Sequence, residues 1–190
     1  MISRLKRAKP PKREPIAPEL KSEQDSEFLR RLQEWDNAAW QQFTEEWNSK
    51  LYSYLKYNLR DDTEVDDVLM EIMSSLIQAV RTFDGKVSLS TFVYSIAYRK
   101  VADYWRRLRA DTELMEWMSA GDIDHTRIEV YEALAELPEQ SQQALLLRYH
   151  VGLSVGEIAE VLGRSYKGTE SLLSRVRRQF ETAFMNGAEA

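Results

Sequence analysis

The sequence predicts an all-α protein in which two helical domains are joined by a flexible linker, the C-terminal one forming a helix-turn-helix. Three observations support this fold class. Apolar residues recur at three- and four-residue steps through several long segments, as they do along one face of a helix. Only 7 Gly and 5 Pro serve 190 residues, too few for a turn-rich β fold. The helical periodicity fails over residues 109–127, which separates two periodic regions.

The N-terminal half is predicted to hold a basic tail followed by several helices. Residues 1–25 carry seven Lys and Arg against four Asp and Glu, together with four of the five prolines, and so form a flexible tail. The first domain covers residues 26–108. Asp36 and Asn37 are good caps that separate two helices within it, and Ser88 or Ser90 starts a later one. The clearest apolar stripe lies between them, from Val65 to Val80.

The second domain, residues 128–186, has the clearest signals for where helices start and end. Ser154 and Glu157 have the spacing of a capping box immediately before an apolar run. Gly163 suits the left-handed position that ends a helix, and Ser165 caps a final helix through Phe184. Two short helices joined at this turn make a helix-turn-helix.

Composition excludes several classes of function. The chain has no Cys and only two His, which argues against disulfides, thiol chemistry and a zinc site. Neither a nucleophile–base pair nor a Gly-rich phosphate loop nor a metal cluster is evident, so we predict a protein that is not an enzyme and holds no cofactor or metal. No run approaches the roughly 18 apolar residues of a transmembrane helix and no secretory signal is present, which predicts a cytoplasmic protein without membrane insertion.

The net charge of −5 does not exclude nucleic-acid binding, because it is a sum over the whole chain. A polyanion docks where basic residues cluster locally. In the last helix, polar residues from Ser165 to Ser171 occupy the N-terminal, solvent-facing end, where a recognition helix meets base edges. Arg175, Arg177 and Arg178 follow one to two turns later, placed for flanking phosphates. A plain helical hairpin with a solvated basic end is the alternative.

The segment from Ser88 to Arg109 interleaves aromatic side chains with cations. Stacking faces and positive charge are what unstacked bases and a single-stranded backbone require, although several of these aromatics must instead fill the core. The aromatic and basic residues are Phe92, Tyr94, Tyr98, Tyr104 and Trp105, with Arg99, Lys100, Arg106, Arg107 and Arg109.

The side of the Val65–Val80 helix opposite its apolar stripe is acidic. Asp66, Asp67 and Glu71 stand on it, and Asp67 and Glu71 are four residues apart. This side is either a solvated surface or a docking surface for a basic partner.

Segments of the chain resemble, in order, the conserved parts of bacterial RNA polymerase sigma factors of the extracytoplasmic-function subfamily. The run Asp66–Met73 is similar to the segment that docks on the polymerase clamp helices. Residues 83–107, with the sequence Phe-Asp-Gly at their start, are similar to the segments that melt and read the minus-ten element. The C-terminal half is similar to the domain that reads the minus-thirty-five element, at residues 134–139, 147–149, 152–154 and 157–159.

The resemblance implies a sigma factor that directs core RNA polymerase to specific promoters and helps to melt the minus-ten region. Its implied partners are core polymerase, promoter DNA in duplex and melted form, and an anti-sigma protein. The polymerase-binding residues are then Asp66, Asp67, Leu69, Met70 and Glu71. The minus-ten residues are Asp84, Ser88, Ser90, Thr91, Phe92, Tyr94, Arg99, Lys100, Asp103, Arg106 and Arg107. The minus-thirty-five residues are Ser165, Tyr166, Lys167, Thr169, Glu170, Ser171, Arg175, Arg177 and Arg178.

Some positions depart from the family pattern. Phe92 stands where Trp is frequent, a conservative exchange. Glu170 and Leu172 stand where Lys and Arg are frequent, which shifts weight in duplex recognition to Lys167 and the cluster around Arg175.

Two other functions fit parts of the sequence. A helix-turn-helix regulator that binds duplex DNA without polymerase core would explain the C-terminal half, but it leaves the aromatic-basic segment and the acidic helix without purpose. A helical protein–protein module with no DNA role would bind its partner independently of Lys167 and Arg175.

Overall fold

The computed structural model describes residues 23–59, 62–111, 130, 133–134 and 136–187. Residues 1–22 of the predicted tail and 112–127 of the predicted linker lie outside the described residues. Residues 23–25 and 109–111, predicted as tail and linker, are helical instead. Every regular element in the described ranges is helical, as predicted. The α-helices are α1 (Glu23–Gln33), α2 (Asn37–Lys56), α3 (Asp62–Ala79), α4 (Leu89–Asp111), α5 (Glu139–Leu145), α6 (Val155–Leu162) and α7 (Tyr166–Gly187).

The first two helices are separated where the sequence predicted. The Asp36 side chain caps α2 by accepting a hydrogen bond from the Ala39 amide at 2.8 Å. Trp35 precedes it with a φ of 63°, a left-handed conformation that is uncommon outside glycine, and its ring stacks on Trp40 with centroids 5.7 Å apart. This connection orients α2 so that its apolar face packs against α3.

The connection from α3 to α4 is a short 3₁₀ turn, Val80–Thr82, followed by a loop. The Gln33 side-chain amide donates to the carbonyls of Val80 and Phe83, at 3.0 and 2.9 Å, and ties α1 to this turn. Ser88 accepts a hydrogen bond from the Thr91 amide at 3.1 Å and so caps α4. The loop that carries candidate minus-ten residues is therefore anchored at both ends.

The C-terminal half contains the predicted helix-turn-helix. Helix α5 continues as a π-helix, Leu146–Val151, which ends at Gly152 with a φ of 89°. Both hydrogen bonds of the predicted capping box between Ser154 and Glu157 are present at the start of α6. Gly163 ends α6 with a φ of 62°, and Ser165 caps α7 by accepting from the Gly168 amide at 3.1 Å.

Replacing Ser154 with Ala is expected to lower the free energy of unfolding by about 1 kcal/mol, because the Glu157 amide loses its side-chain acceptor. Thermal unfolding followed by circular dichroism measures this loss. Ser174, exposed on α7, provides the control, since Ala at a helical surface position is neutral or mildly stabilising. Equal melting temperatures for the two variants would contradict the capping role.

The two helical halves are in contact. A single continuous cluster of buried apolar residues runs through both, from Leu29 in α1 to Val176 in α7. Helix α6 of the C-terminal half packs against α4, and the π-helix packs against α2. The sequence predicted two domains, and it did not predict that they would share a core.

Candidate nucleic-acid interface

The outer face of α3 combines acid with an exposed apolar side chain. Asp66 and Asp67 are exposed, and Met70, about one helical turn further along, is 64% exposed. Leu69 does not belong to this face: it is 7% exposed and packs in the core with Val65 and the rest of the apolar stripe. The predicted polymerase-binding residue Leu69 therefore offers almost no surface to a partner in this structure.

Glu71 joins this acidic face to the basic side of α4. Its carboxylate lies 3.3 Å from Lys100 Nζ and 3.3 Å from an Arg107 guanidinium nitrogen. Burial raises the pKa of Glu71, but hydrogen bonds from these two cations outweigh it and hold that pKa below its ordinary value. Two of the predicted backbone-binding cations are thus held against the acidic helix.

The other basic residues of α4 differ in their contacts with acidic side chains. Asp103 pairs with Arg106 at 2.7 Å, which makes Asp103 a positioning group for that guanidinium. Arg99 is exposed. The cations therefore line the outer side of α4, as an interface for a polyanion requires.

The aromatic residues of the same segment separate into two environments. Phe92 is half-buried and stacks on Phe83, with ring centroids 4.1 Å apart. Tyr94 is 4% exposed and its ring meets the edges of Trp47 and Tyr54 at 5.8 and 5.4 Å. Burial raises the pKa of Tyr94 to about 12. The prediction that Tyr94 supports a melted strand is wrong, because its ring is part of the core.

The loop before α4 presents some of its predicted residues and covers others. Asp84 is exposed and pairs with Lys86, while Ser90 is half-buried. The hydroxyls of Ser88 and Thr91 donate to the Glu157 carboxylate of α6, at 2.8 and 3.3 Å. Thr91 is 1% exposed.

The start of α7 is the second candidate interface. The predicted residues are exposed with one exception, Thr169, which is fully buried and donates its hydroxyl to the Ser165 carbonyl at 3.1 Å. Its prediction as a base contact is wrong for this structure. The exposed ones are Ser165, Tyr166, Lys167, Glu170 and Ser171.

The basic cluster on α7 is exposed but not uniform. Arg177 is held by Glu181 one turn away, with 3.1 Å between the guanidinium and the carboxylate. Arg175 and Arg178 border a shallow hollow beside Glu136. The Glu181 carboxylate therefore competes with a phosphate for Arg177.

Family profiles match both halves of the chain. A profile described as Sigma-70 region 2 matches residues 43–110, and one described as Sigma-70, region 4 matches residues 127–180. Together they span well over half of the sequence. The chain belongs to the sigma-70 family.

Curated relatives agree with this assignment. The chain is 27% identical over 129 residues to the RNA polymerase sigma factor SigV of Bacillus subtilis, covering 65% of this chain and 75% of SigV. It is 25% identical to the ECF RNA polymerase sigma factor SigX of the same species, covering 61% and 68%. It is 26% identical over 184 residues to the sigma-H factor of Pseudomonas aeruginosa, covering 86% and 95%. This sigma factor is of the extracytoplasmic-function type and directs RNA polymerase to promoters.

Solved structures share the sigma factor's fold. CnrH in complex with the cytosolic domain of CnrY superposes with a TM-score of 0.69 at 22% identity, covering 87% of this chain and 99% of CnrH. The sigma factor RpoE from Bartonella quintana, in complex with the anti-sigma factor NepR, gives 0.60 at 15% identity, covering 77% and 96%.

Sequence reasoning missed the polar groups that join the sigma factor's two halves. Gln143 is fully buried, accepts a hydrogen bond from the Tyr54 hydroxyl and donates to the Asn58 side chain. The available signal was a glutamine directly before the apolar run Ala144–Leu147, where a polar side chain needs a partner.

Two further properties concern the described residues alone. They contain no group of three or more His, Asp and Glu side chains arranged to hold a metal ion. Among the helices in the described part of the chain, none combines the length and the hydropathy that a membrane crossing requires.

Proposed function

We propose that α3 is the surface through which this sigma factor binds core polymerase. The observation that carries the proposal is Met70, which projects into solvent beside Asp66 and Asp67. Burial of the Met70 side chain against a partner would favour association, and the flanking carboxylates would select a partner with a basic surface.

The loop before α4 and the outer side of α4 are proposed to capture the melted minus-ten strand. Asp84 and Ser90 would contact an extruded base, and Phe92 would support the strand through its stack on Phe83. The backbone would be held by Arg99, Lys100, Arg106 and Arg107. Opening costs a few kcal/mol per unstacked base, which stacking of about 1–3 kcal/mol per base offsets.

Helix α7 is proposed to read the duplex minus-thirty-five element. Its exposed N-terminal end follows the Gly163 turn, which is the geometry of a recognition helix in the major groove. Tyr166, Lys167, Glu170 and Ser171 would face base edges there. Arg175 and Arg178 would bind the flanking phosphates.

Lys167→Ala should relax sequence preference at the position it contacts, with a loss of about 1–3 kcal/mol on the preferred duplex. Arg175→Ala should weaken all duplexes alike and reduce the slope of affinity against salt by about one. Binding of labelled duplexes is measured by fluorescence anisotropy over a salt series.

Arg177→Ala is the matched control, because Glu181 already engages that guanidinium. We expect its salt slope to change less than that of the Arg175 variant. If the Lys167 and Arg175 variants both bind every duplex as the wild type does, α7 is not the reading helix.

The experiment that tests the proposed function as a whole is run-off transcription with purified core polymerase on promoters selected from random-sequence DNA. We expect promoter-specific transcripts only when the sigma factor is present. We propose further that the protein acts in the cytoplasm and has no catalytic activity of its own. Failure to select any promoter with any core polymerase would contradict the assignment.

A protein inhibitor is the second partner that we propose. CnrH is bound to the cytosolic domain of CnrY, and RpoE of Bartonella quintana is bound to an anti-sigma factor, and both have this fold. Co-purification with the tagged sigma factor from its own cells should recover such a protein. That protein should inhibit run-off transcription when added back.

A further inference from the structure

A pair of stacked tryptophan rings lies on the surface where α1 ends and α2 begins. Trp35 is 52% exposed, and its ring stacks on that of the half-buried Trp40, with the centroids 5.7 Å apart. Trp40 Nε1 donates a hydrogen bond to the Leu32 carbonyl at 3.0 Å, which fixes the orientation of the Trp40 ring. The pair therefore presents a fixed aromatic surface to solvent.

The backbone at Trp35 has a conformation that glycine adopts more readily than tryptophan. Its φ is 63°, and the Asp36 amide donates to the Arg31 carbonyl at 3.0 Å across it. The left-handed residue that follows a helix is most often glycine, because a side chain is strained there. A half-exposed tryptophan thus occupies a strained position without the full gain of burial, which points to a role for its ring outside the core.

The 22 residues that precede α1 contain a segment suited to such a surface. They include Pro15-Ile16-Ala17-Pro18, closely preceded by the cations Lys12 and Arg13. Prolines spaced in this way favour the polyproline II helix, whose three-residue repeat places both proline rings on one side. Polyproline II segments dock in grooves lined by aromatic side chains, and neighbouring cations pack on the ring faces.

The position of this segment in the chain matches the distance to the tryptophan pair. From Glu23 to Trp35 the chain advances about 18 Å, at about 1.5 Å per helical residue. Pro18 and Pro15 lie five and eight residues before Glu23, which is about 16 and 25 Å of polyproline II chain at about 3.1 Å per residue. A tail that turns back at Glu23 and runs along α1 therefore brings these prolines level with the rings.

Charge also favours contact between the tail and α1. Residues 1–22 carry seven Lys and Arg against two Asp and Glu, whereas residues 23–36 carry five Asp and Glu against two Lys and Arg. Arg30 is shared between Glu27 and Glu34, so that group of side chains keeps a net negative charge. Opposite charges attract the two segments, and the covalent link raises the effective concentration of the tail at the rings.

We propose that residues Pro15–Pro18 dock on the rings of Trp35 and Trp40, so that the N-terminal tail is held along α1. The occupant is the chain's own tail, since linkage, reach and charge favour it over a separate ligand. Neither ring belongs to the proposed polymerase or DNA surfaces. Gln33 ties this end of α1 to the turn before the minus-ten loop, so a docked tail brings its cations towards that loop.

Fluorine NMR of the full-length protein tests the proposal. The chain has five Trp, so protein made with a fluorinated tryptophan gives five resonances, which single Trp→Phe substitutions assign. We expect Pro15→Ala/Pro18→Ala to shift the Trp35 and Trp40 resonances and to leave the resonance of the buried Trp47 in place. The matched control is Pro10→Ala/Pro11→Ala, which removes two prolines outside the segment and should shift none of them.

A nitroxide label measures how close the tail lies to the rings. The chain contains no Cys, so Glu14→Cys carries the label at a single site. We expect it to broaden the Trp35 and Trp40 resonances, and to do so at least about threefold less once Pro15 and Pro18 are replaced, because the tail then visits the rings only at its effective concentration.

Trp35→Gly tests the other side of the contact. Glycine adopts the left-handed backbone freely, so the turn between α1 and α2 should persist, while the broadening of the Trp40 resonance by the label should fall. Helicity by circular dichroism should match the wild type in this variant and in the proline variants, because the substituted positions lie outside the described helices.

Unchanged Trp35 and Trp40 resonances in the Pro15/Pro18 variant would overturn the proposal. Equal shifts in the Pro10/Pro11 variant would also overturn it, because the contact would then not depend on the segment. A mixture of labelled, unfluorinated protein with unlabelled, fluorinated protein separates docking within one chain from docking between two. Broadening in that mixture equal to the broadening within one chain would mean that the tail docks on a second copy, and would overturn the intramolecular site.

Discussion

Replacing Tyr94 with Ala is expected to lower the free energy of unfolding by about 3–5 kcal/mol, the loss typical of removing a buried aromatic ring. Tyr94 is 4% exposed and lies between the rings of Trp47 and Tyr54, so the truncation leaves a cavity at the centre of the N-terminal half. Urea unfolding followed by tryptophan fluorescence and circular dichroism measures the loss.

Two variants control this result. Tyr94→Phe keeps the ring and should cost less than about 1.5 kcal/mol. Tyr149→Ala removes a tyrosine that is 62% exposed and should change stability by no more than about 0.5 kcal/mol. A Tyr94→Ala protein as stable as the wild type would show that the ring is not part of the core. Because the truncation is expected to destabilise the core, a transcription defect of Tyr94→Ala would report lost stability and not lost strand capture. Phe92 is the aromatic residue with which to probe strand capture.

The second large effect is expected on α3. Replacing Asp67 with Lys together with Met70→Ala should weaken binding to core polymerase by at least about thirtyfold, a loss of about 2 kcal/mol or more, if the pair forms the centre of the docking surface. Both side chains are exposed, so the helix itself should persist. Affinity is measured by titration of labelled protein with core polymerase, and helicity by circular dichroism.

Glu45→Lys, a charge reversal on exposed α2, provides the control for the change in net charge. We expect it to alter polymerase affinity less than threefold, as a rim charge does. Wild-type affinity in the Asp67/Met70 variant would remove α3 from the proposed polymerase surface.

Local features of this fold were predictable because each rests on neighbours in the chain. Asp36, Ser154 and Ser165 cap helices by binding amides within three residues, and Gly163 ends a helix through its own backbone freedom. The acidic face of α3 follows from helical periodicity alone. These predictions needed only spacing and residue type.

Misassigned residues were those whose environment is supplied by a distant helix. Tyr94 shares a helical face with Ala97, Val101 and Tyr104, all buried, and that stripe was the signal that it would pack inward. An aromatic residue between cations has the same composition whether it stacks on a base or on Trp47. The stripe therefore indicates that the ring points inward, but the ring against which it packs comes from another helix, and local sequence does not identify that partner.

Residue order alone predicts the helices, their caps, the helix-turn-helix and the resemblance that the family profiles confirm. Which of the candidate residues are free depends on how the helices pack. That packing places Glu71 between Lys100 and Arg107, and it sets Glu157 against Ser88 and Thr91. Sequence distance explains the difference. A cap is fixed by a hydrogen bond three residues away, whereas Glu157 reaches Ser88 across 69 residues, and the packing of whole helices is needed to bring them together.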